Sequence, residues 1–172
     1  MPAVDPTYCP DCGRELSAVA FEDRDRPYCA DCEEVWWRSS VPTTSVLVRD
    51  GDEVLLVRRA AGRDAGRWDL PAGHPEYDEP APEAAARELR EETALAVDPG
   101  ALELVGTTLS AGPRRTFRSI NYRVDRAATG GDLEAGSDAA DARFVGVDAL
   151  REGGLDVREL GRMRLRCAGV LE

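Results

Sequence analysis

The stretch from Gly73 to Leu95, GHPEYDEPAPEAAARELREETAL, constrains this chain more than any other, because it commits three carboxylates to one side of a single helix. Pro82 suits the first helical turn, where its missing N–H costs nothing, and Glu83 behind it suits the positive end of the helix dipole. Strong helix formers follow, so the spacing predicts a helix that begins near Pro82. At about 3.6 residues per turn, Glu88, Glu91 and Glu92 fall at i, i+3 and i+4. Left alone, each like-charged pair at this spacing costs roughly 0.2–0.5 kcal/mol. The face is therefore either a solvated acidic surface or a seat for a hard divalent cation such as Mg2+ or Mn2+, which takes carboxylate oxygens together with substrate phosphate.

The neighbours narrow that choice. Gly73 permits close backbone approach, Glu79 lies ahead of the helix, and Arg87 beside the acidic cluster can hold a carboxylate in a two-pronged grip. Taken together, Gly73, Glu79, Arg87-Glu88-Leu89, Glu91-Glu92 and Leu95 resemble the box that marks the Nudix hydrolases. The resemblance implies an α/β fold, a Nudix α/β/α sandwich with a mixed β-sheet, and cleavage of nucleoside diphosphates linked to another moiety. It also implies Glu88, Glu91, Glu92 and the backbone carbonyl of Gly73 as ligands for catalytic Mg2+ or Mn2+. Arg87 and Glu79 would orient helix and loop, and a homodimer is the family's expectation. Two positions depart from the pattern: Ala94 stands where glycine is usual, and Asp78 replaces a frequent glycine. If the backbone at Ala94 requires a positive φ, its Cβ costs on the order of 1 kcal/mol.

A second motif lies upstream. Cys9-Pro-Asp-Cys12 and Cys29-Ala-Asp-Cys32 form two C-x2-C pairs 16 residues apart, a spacing that suits tetrahedral Zn2+. Two disulfides are the alternative, disfavoured in a reducing compartment. A module of this size cannot bury enough apolar surface to fold unaided, so metal would supply most of its stability, and four thiolates leave no open coordination position. The expected organisation is a small four-cysteine zinc ribbon over residues 1–38 followed by the Nudix domain over 39–172. Trp36 and Trp37 follow the last cysteines and are expected to pack the ribbon against the next domain, with base stacking as the alternative. Cys167 lacks any partner pattern and reads as a packed C-terminal residue.

Composition limits partners. All 22 basic residues are arginine, against 33 acidic ones, for a net charge of −11. Acid surplus without lysine resembles proteins of salt-loving archaea, and a GC-rich genome is the alternative source of the arginine bias. The acidity counts against nonspecific nucleic-acid binding, which needs a positive footprint. With no long apolar run and no signal-peptide pattern at the first residues, the expected location is cytoplasmic.

The rest of the chain supplies a scaffold. Thr44 to Val48 and Val54 to Arg58 read as paired strands around Asp50-Gly51-Asp52. Trp68 to Gly73 reads as the strand leading into the box, with Trp68 in the core. Leu102 to Leu109 and Thr116 to Val124 read as strands joined around Gly112-Pro113-Arg114-Arg115. Ala127 to Asp141 is small, polar and mobile in composition, Arg143 to Val147 reads as a last strand, and Val157 to Arg166 as a terminal amphipathic helix.

Phosphoanhydride cleavage needs charge neutralisation and an aligned water more than covalent help. The general base stays open among Glu92, Glu134, Asp138 and Asp141, while Glu91 joins Glu92 as a catalytic residue through the metal. His74 lies beside the site, yet a variable box position explains it as well. Arg58, Arg114 and Arg115 are candidate phosphate clamps, or solvated turn residues. A ribbon ahead of the box resembles the NADH pyrophosphatases and related ribbon-bearing proteins that hydrolyse ADP-ribose or flavin dinucleotides. The tryptophan motif of the NADH enzymes is absent from Leu109 to Ser119, LSAGPRRTFRS, which disfavours strict NADH specificity. The competing class is a non-catalytic module: a ribbon that docks nucleic acid or protein, joined to a fold that senses a nucleotide without turning it over.

Overall fold

A computed structural model describes residues 3–4, 6–112, 114–136 and 138–172. Pro113 and Ser137, which the sequence places in a turn and in the polar loop, lie outside the described residues. The chain divides into two compact units, Met1–Val41 with Ala111–Phe117, and Pro42–Ser110 with Arg118–Glu172.

The first unit is built on β1 (Ser17–Phe21), β2 (Arg24–Cys29) and β3 (Glu34–Val35), an antiparallel sheet in that order. Glu22 and Asp23, both at positive φ, make the β1–β2 turn. Trp37 packs within this unit, edge-on to Phe21 at 5.8 Å between ring centroids and with the Arg26 guanidinium 3.8 Å from its ring centre.

The second unit is a strand system covered on both faces. Its strands are β4 (Val41–Asp50), β5 (Glu53–Arg59), β6 (Trp68–Asp69) and β7 (Ala72–Gly73), then β8 (Ala96–Val97), β9 (Glu103–Ala111), β10 (Thr116–Asp125), β11 (Thr129–Gly130) and β12 (Ala139–Gly146). The main sheet runs β12-β5-β4-β10-β9, with β6 on β5 and β7 on β4. Pairing is antiparallel between β5 and each of β4, β6 and β12, while Val157 bridges Trp68 in parallel, so the strand system is mixed. Asp50 opposite Glu53 leaves the two-residue turn Gly51-Asp52 that the sequence predicts.

Alternation along the central strands sorts the core. Val46, Val48 and Leu55 point to one face, where Ala85 and Leu89 of α1 (Ala81–Thr93) join Tyr122 and Val124. Leu47, Val54 and Leu56 point to the other, against Leu150 of α2 (Val147–Arg151) and Leu165 of α3 (Glu159–Cys167). Period-two side chains on strands that are buried on both faces give an α/β/α sandwich. Trp68 is core, 5% exposed. Cys167 is half-buried, its Sγ 3.1 Å from where a Cβ on Gly106 would stand.

The segment from Ala127 to Asp141, read as a mobile loop, is more structured than its composition indicates. Its β11 pairs with β8, and the amides of Glu134 and Gly136 donate to the carbonyls of Thr93 and Glu92 at 3.0 and 2.9 Å. These bonds satisfy two of the carbonyls that the end of α1 leaves unpaired. Only glycine fits at 136, since a Cβ there would lie 1.7 Å from the Glu91 carbonyl oxygen. No described helix is long and apolar enough to cross a membrane.

Candidate functional site

Helix α1 starts at Ala81, with Pro80 at the cap and Pro82 in the first turn, one residue from the position the sequence predicts. Its apolar stripe, Ala84, Ala85, Leu89 and Thr93, is buried, and this fixes the rotation of the helix so that Glu88, Glu91 and Glu92 project along one flank. The chain leaves the helix through Ala94 at φ +58°, the left-handed cap for which glycine is the usual residue.

The strand segment before the helix meets that flank. Gly73 admits Glu88 where no other residue would: a Cβ at 73 would stand 1.9–2.2 Å from the Glu88 carboxylate. Glu92 accepts a hydrogen bond from the Ala72 amide at 3.0 Å. Burial pushes the Glu92 carboxyl up to about 7, with the negative charges of Glu88 and Asp69 adding to the effect and the Ala72 amide and Arg59 opposing it.

Arg87 is the hub. It grips Glu79 through Nε at 2.8 Å and Nη2 at 2.9 Å, and Nη2 also donates to the His74 carbonyl at 3.0 Å. Its Nη1 donates to Glu88 at 3.0 Å and Glu91 at 3.1 Å. The fork on Glu79, with the Glu76 amide, holds that carboxyl down to about 2. Loop 74–80 is thereby tied to the helix.

The three glutamates share a flank but do not converge on a point. Among the described residues, the four cysteines are the only set of three or more Cys, His, Asp or Glu whose ligand atoms lie within 4.8 Å of one another. Repulsion between like charges, with one arginine as counter-charge, accounts for the spread: Glu88 and Glu91 turn to Arg87 while Glu92 turns to the backbone. A hard cation is chemically matched to this donor set, because carboxylates and a glycine carbonyl are all oxygen donors and Gly73 leaves room beside Glu88. Arg87 stays anchored on Glu79 even if its Nη1 contacts are given up.

The other candidates from the sequence make contacts of their own. Arg58, on β5, faces Asp141 at 3.9 Å and lies 5.8 Å from the Trp68 ring centre. Arg114 and Arg115 belong to the 111–117 turn of the first unit, where the Arg114 carbonyl accepts from Arg38 at 3.5 Å. The His74 ring contacts the Pro42 carbonyl at 2.9 Å. Glu134 and Asp138 are exposed, and the Asp138 carbonyl receives the Ala60 amide.

In the first unit, all four cysteines are free thiols with their sulfurs inside 4.8 Å. The Cys9–Cys32 and Cys12–Cys29 separations are 3.9 and 3.5 Å. Disulfide sulfurs would lie at about 2.0 Å. A tetrahedron with metal–sulfur bonds of about 2.3 Å has edges of about 3.8 Å, so the cluster is the size of a four-thiolate metal site and compatible with a zinc ribbon.

Sequence reasoning missed one buried polar group near the site. Asp69 and Arg164, each 2% exposed, pair at 3.0 Å beneath α3.

Residues 39–162 match the NUDIX domain family model. An ADP-ribose pyrophosphatase from Methanocaldococcus jannaschii is 32% identical over 139 residues, covering 80% of this chain and 78% of that one. The NAD-capped RNA hydrolase NudC of Pseudomonas entomophila is 34% identical over 90 residues, 52% of this chain and only 32% of that protein. Among solved structures, a NUDIX hydrolase from Nitrosomonas europaea superimposes with a TM-score of 0.67 at 23% identity, covering 95% of this chain and 94% of that one.

Proposed function

The chain belongs to the Nudix hydrolase family, and on that premise we propose that it cleaves the pyrophosphate bond of a nucleoside diphosphate linked to another moiety, with ADP-ribose-type compounds as the substrate class. The observation that carries this reading is the fitted contact between strand and helix, where Gly73 makes space for the Glu88 carboxylate and the Ala72 amide holds Glu92. The relative named for ADP-ribose, matched over most of both chains, supports the substrate class.

In this reading Glu88, Glu91 and Glu92, with the Gly73 carbonyl, hold Mg2+ or Mn2+. A cation held there would supply Lewis-acid neutralisation of diphosphate charge. The chain's own residues do the rest. Arg87 and Glu79 lock loop to helix, so the ligands keep their places. Glu92, held by the Ala72 amide, is the proposed general base. Glu91, half exposed and paired with Arg87 Nη1 at 3.1 Å, would have to give up that contact to serve as a ligand. Arg58, on β5, is the proposed phosphate donor of the second unit. Residues 1–38 form a ribbon in which Cys9, Cys12, Cys29 and Cys32 hold structural Zn2+, and 39–172 form the hydrolase domain.

The test is product analysis in molar salt with Mg2+, offering ADP-ribose, NADH, FAD, dinucleoside polyphosphates and nucleoside triphosphates, with Glu91→Gln alongside. AMP from ADP-ribose, lost in the variant, is the expected result. Saturable binding with no product from any of them would replace the hydrolase with a nucleotide sensor.

A further inference from the structure

The buried ion pair under α3 lies one short strand away from the carboxylate flank. Arg164 Nη1 reaches Asp69 Oδ2 at 3.0 Å, Nε donates to Ser119 Oγ at 3.1 Å, and Nη2 to Thr43 Oγ1 at 3.3 Å. One guanidinium thus joins β4, β6 and β10 from the helix that covers them. Arg158, at the N-terminus of α3, adds a second contact to the same Asp69 oxygen at 3.1 Å and one to Asp64 at 3.3 Å. The other Asp69 oxygen accepts the Leu70 amide at 2.8 Å. Charges this deep are costly to desolvate, and apolar residues of similar volume would pack at least as favourably. Stability alone is therefore a poor reason for the pair.

The four residues after Asp69 supply a better one. Leu70 is in the core, the Pro71 carbonyl accepts the Val46 amide at 3.0 Å, the Ala72 amide holds Glu92, and Gly73 admits Glu88. A strand displaced along its axis would lose both glutamate contacts together. We propose that Arg164, acting through Asp69, is a positioning residue for the carboxylate site: it sets the height of segment 69–73 at which Ala72 meets Glu92 and Gly73 faces Glu88. The proposal rests on the hydrolase reading for its kinetic consequence and on geometry alone for its effect on metal binding.

The test uses the full zinc-loaded chain and compares Arg164→Met and Arg164→Lys with wild type, with Arg151→Ala as a control on the same side of the sheet. Mn2+ affinity, normalised to the folded fraction, is expected to fall about tenfold in Arg164→Met, as does kcat at saturating Mn2+. KM for ADP-ribose stays within about twofold, Arg164→Lys recovers part of the loss, and Arg151→Ala matches wild type. Wild-type Mn2+ affinity and kcat in folded Arg164→Met would overturn the proposal, as would a loss that vanishes on normalisation. If Arg164→Met does not fold, Ser119→Ala and Thr43→Val trim the other guanidinium contacts; a smaller drop in the same direction supports the positioning role, and no drop in either sinks it. Should the wild-type protein hydrolyse nothing, the hydrolase reading fails, while the Mn2+ affinities still decide whether Arg164 positions the site.

Discussion

The two units reach order by opposite routes. In the first, among the described residues, the only buried side chains are those of Cys9 and Cys29, both members of the sulfur cluster. In the second, two apolar clusters fill both faces of the sheet, and its glutamates lie along the flank of one helix, unneeded for the core. The difference teaches where a metal would be structural and where it would be chemical. A unit held by a small sheet and the Phe21–Trp37–Arg26 contacts, with no buried apolar core, would draw folding energy from a metal on its thiolates. A unit with a complete core can leave charged groups in a like-charged, incompletely paired arrangement and hand them to a transient cation.

The largest expected effect is in the first unit. Removing Zn2+ with a strong chelator, or substituting Cys29→Ser, should unfold it, because structural zinc contributes about 10–16 kcal/mol in comparable small modules. Limited proteolysis should then cut between residues 8 and 37 while the second unit stays resistant. Equal resistance before and after chelation would erase the contrast between the units.

In the second unit the core dominates stability. Leu89→Ala, at a position with no exposure, should lower unfolding free energy by about 2–5 kcal/mol, read from denaturant titration. Glu91→Gln should instead leave that titration unchanged and cut kcat by about 100-fold or more. A variant that loses stability and activity in proportion would mean that the flank is structural.

Two acidic groups should respond to pH with opposite signs. Glu79 is held below its unfolded value, down to about 2, so its contribution is present above about 4.5 and lost as pH falls toward 2. Glu92 is raised to about 7, so its contribution is present below about 4.5 and lost as pH rises through 7. Thermal midpoints of zinc-loaded, Mg2+-free protein check this: wild type should lose ground to Glu92→Gln between about pH 4.5 and 7. A pH-independent difference would remove burial as the cause.

The smallest effect concerns the helix exit. Ala94→Gly should stabilise the second unit by up to about 1 kcal/mol by relieving the left-handed Cβ. No gain would mean that the flexibility of glycine in the unfolded chain offsets the relief.

Much of the fold and site is legible in the chain because it rests on local patterns. The glutamate spacing, Pro82, the Asp50-Gly51-Asp52 turn and the paired C-x2-C motifs each carry their own geometry. The sequence leaves a positive φ at Ala94 as a condition, and the structure meets it at +58°. The features that stay hidden depend on distant contacts. Gly136 is one small residue in a polar run, and nothing local shows that it seats against the Glu91 carbonyl. Arg164 is one of 22 arginines, and only the packing of α3 distinguishes it from a solvated one. The three glutamates could be placed on one face, but the division of their partners between Arg87 and the Ala72 amide is set by the approach of loop and strand.

The proposal that one chain holds two metals for two purposes is tested most directly by titrating Mn2+ into zinc-loaded protein, with zinc content measured before and after. The expected result is one tightly retained zinc per chain throughout, together with reversible Mn2+ binding that Glu91→Gln weakens without releasing zinc. Mn2+ binding that is indifferent to Glu91→Gln, or that appears only as zinc leaves, would contradict it.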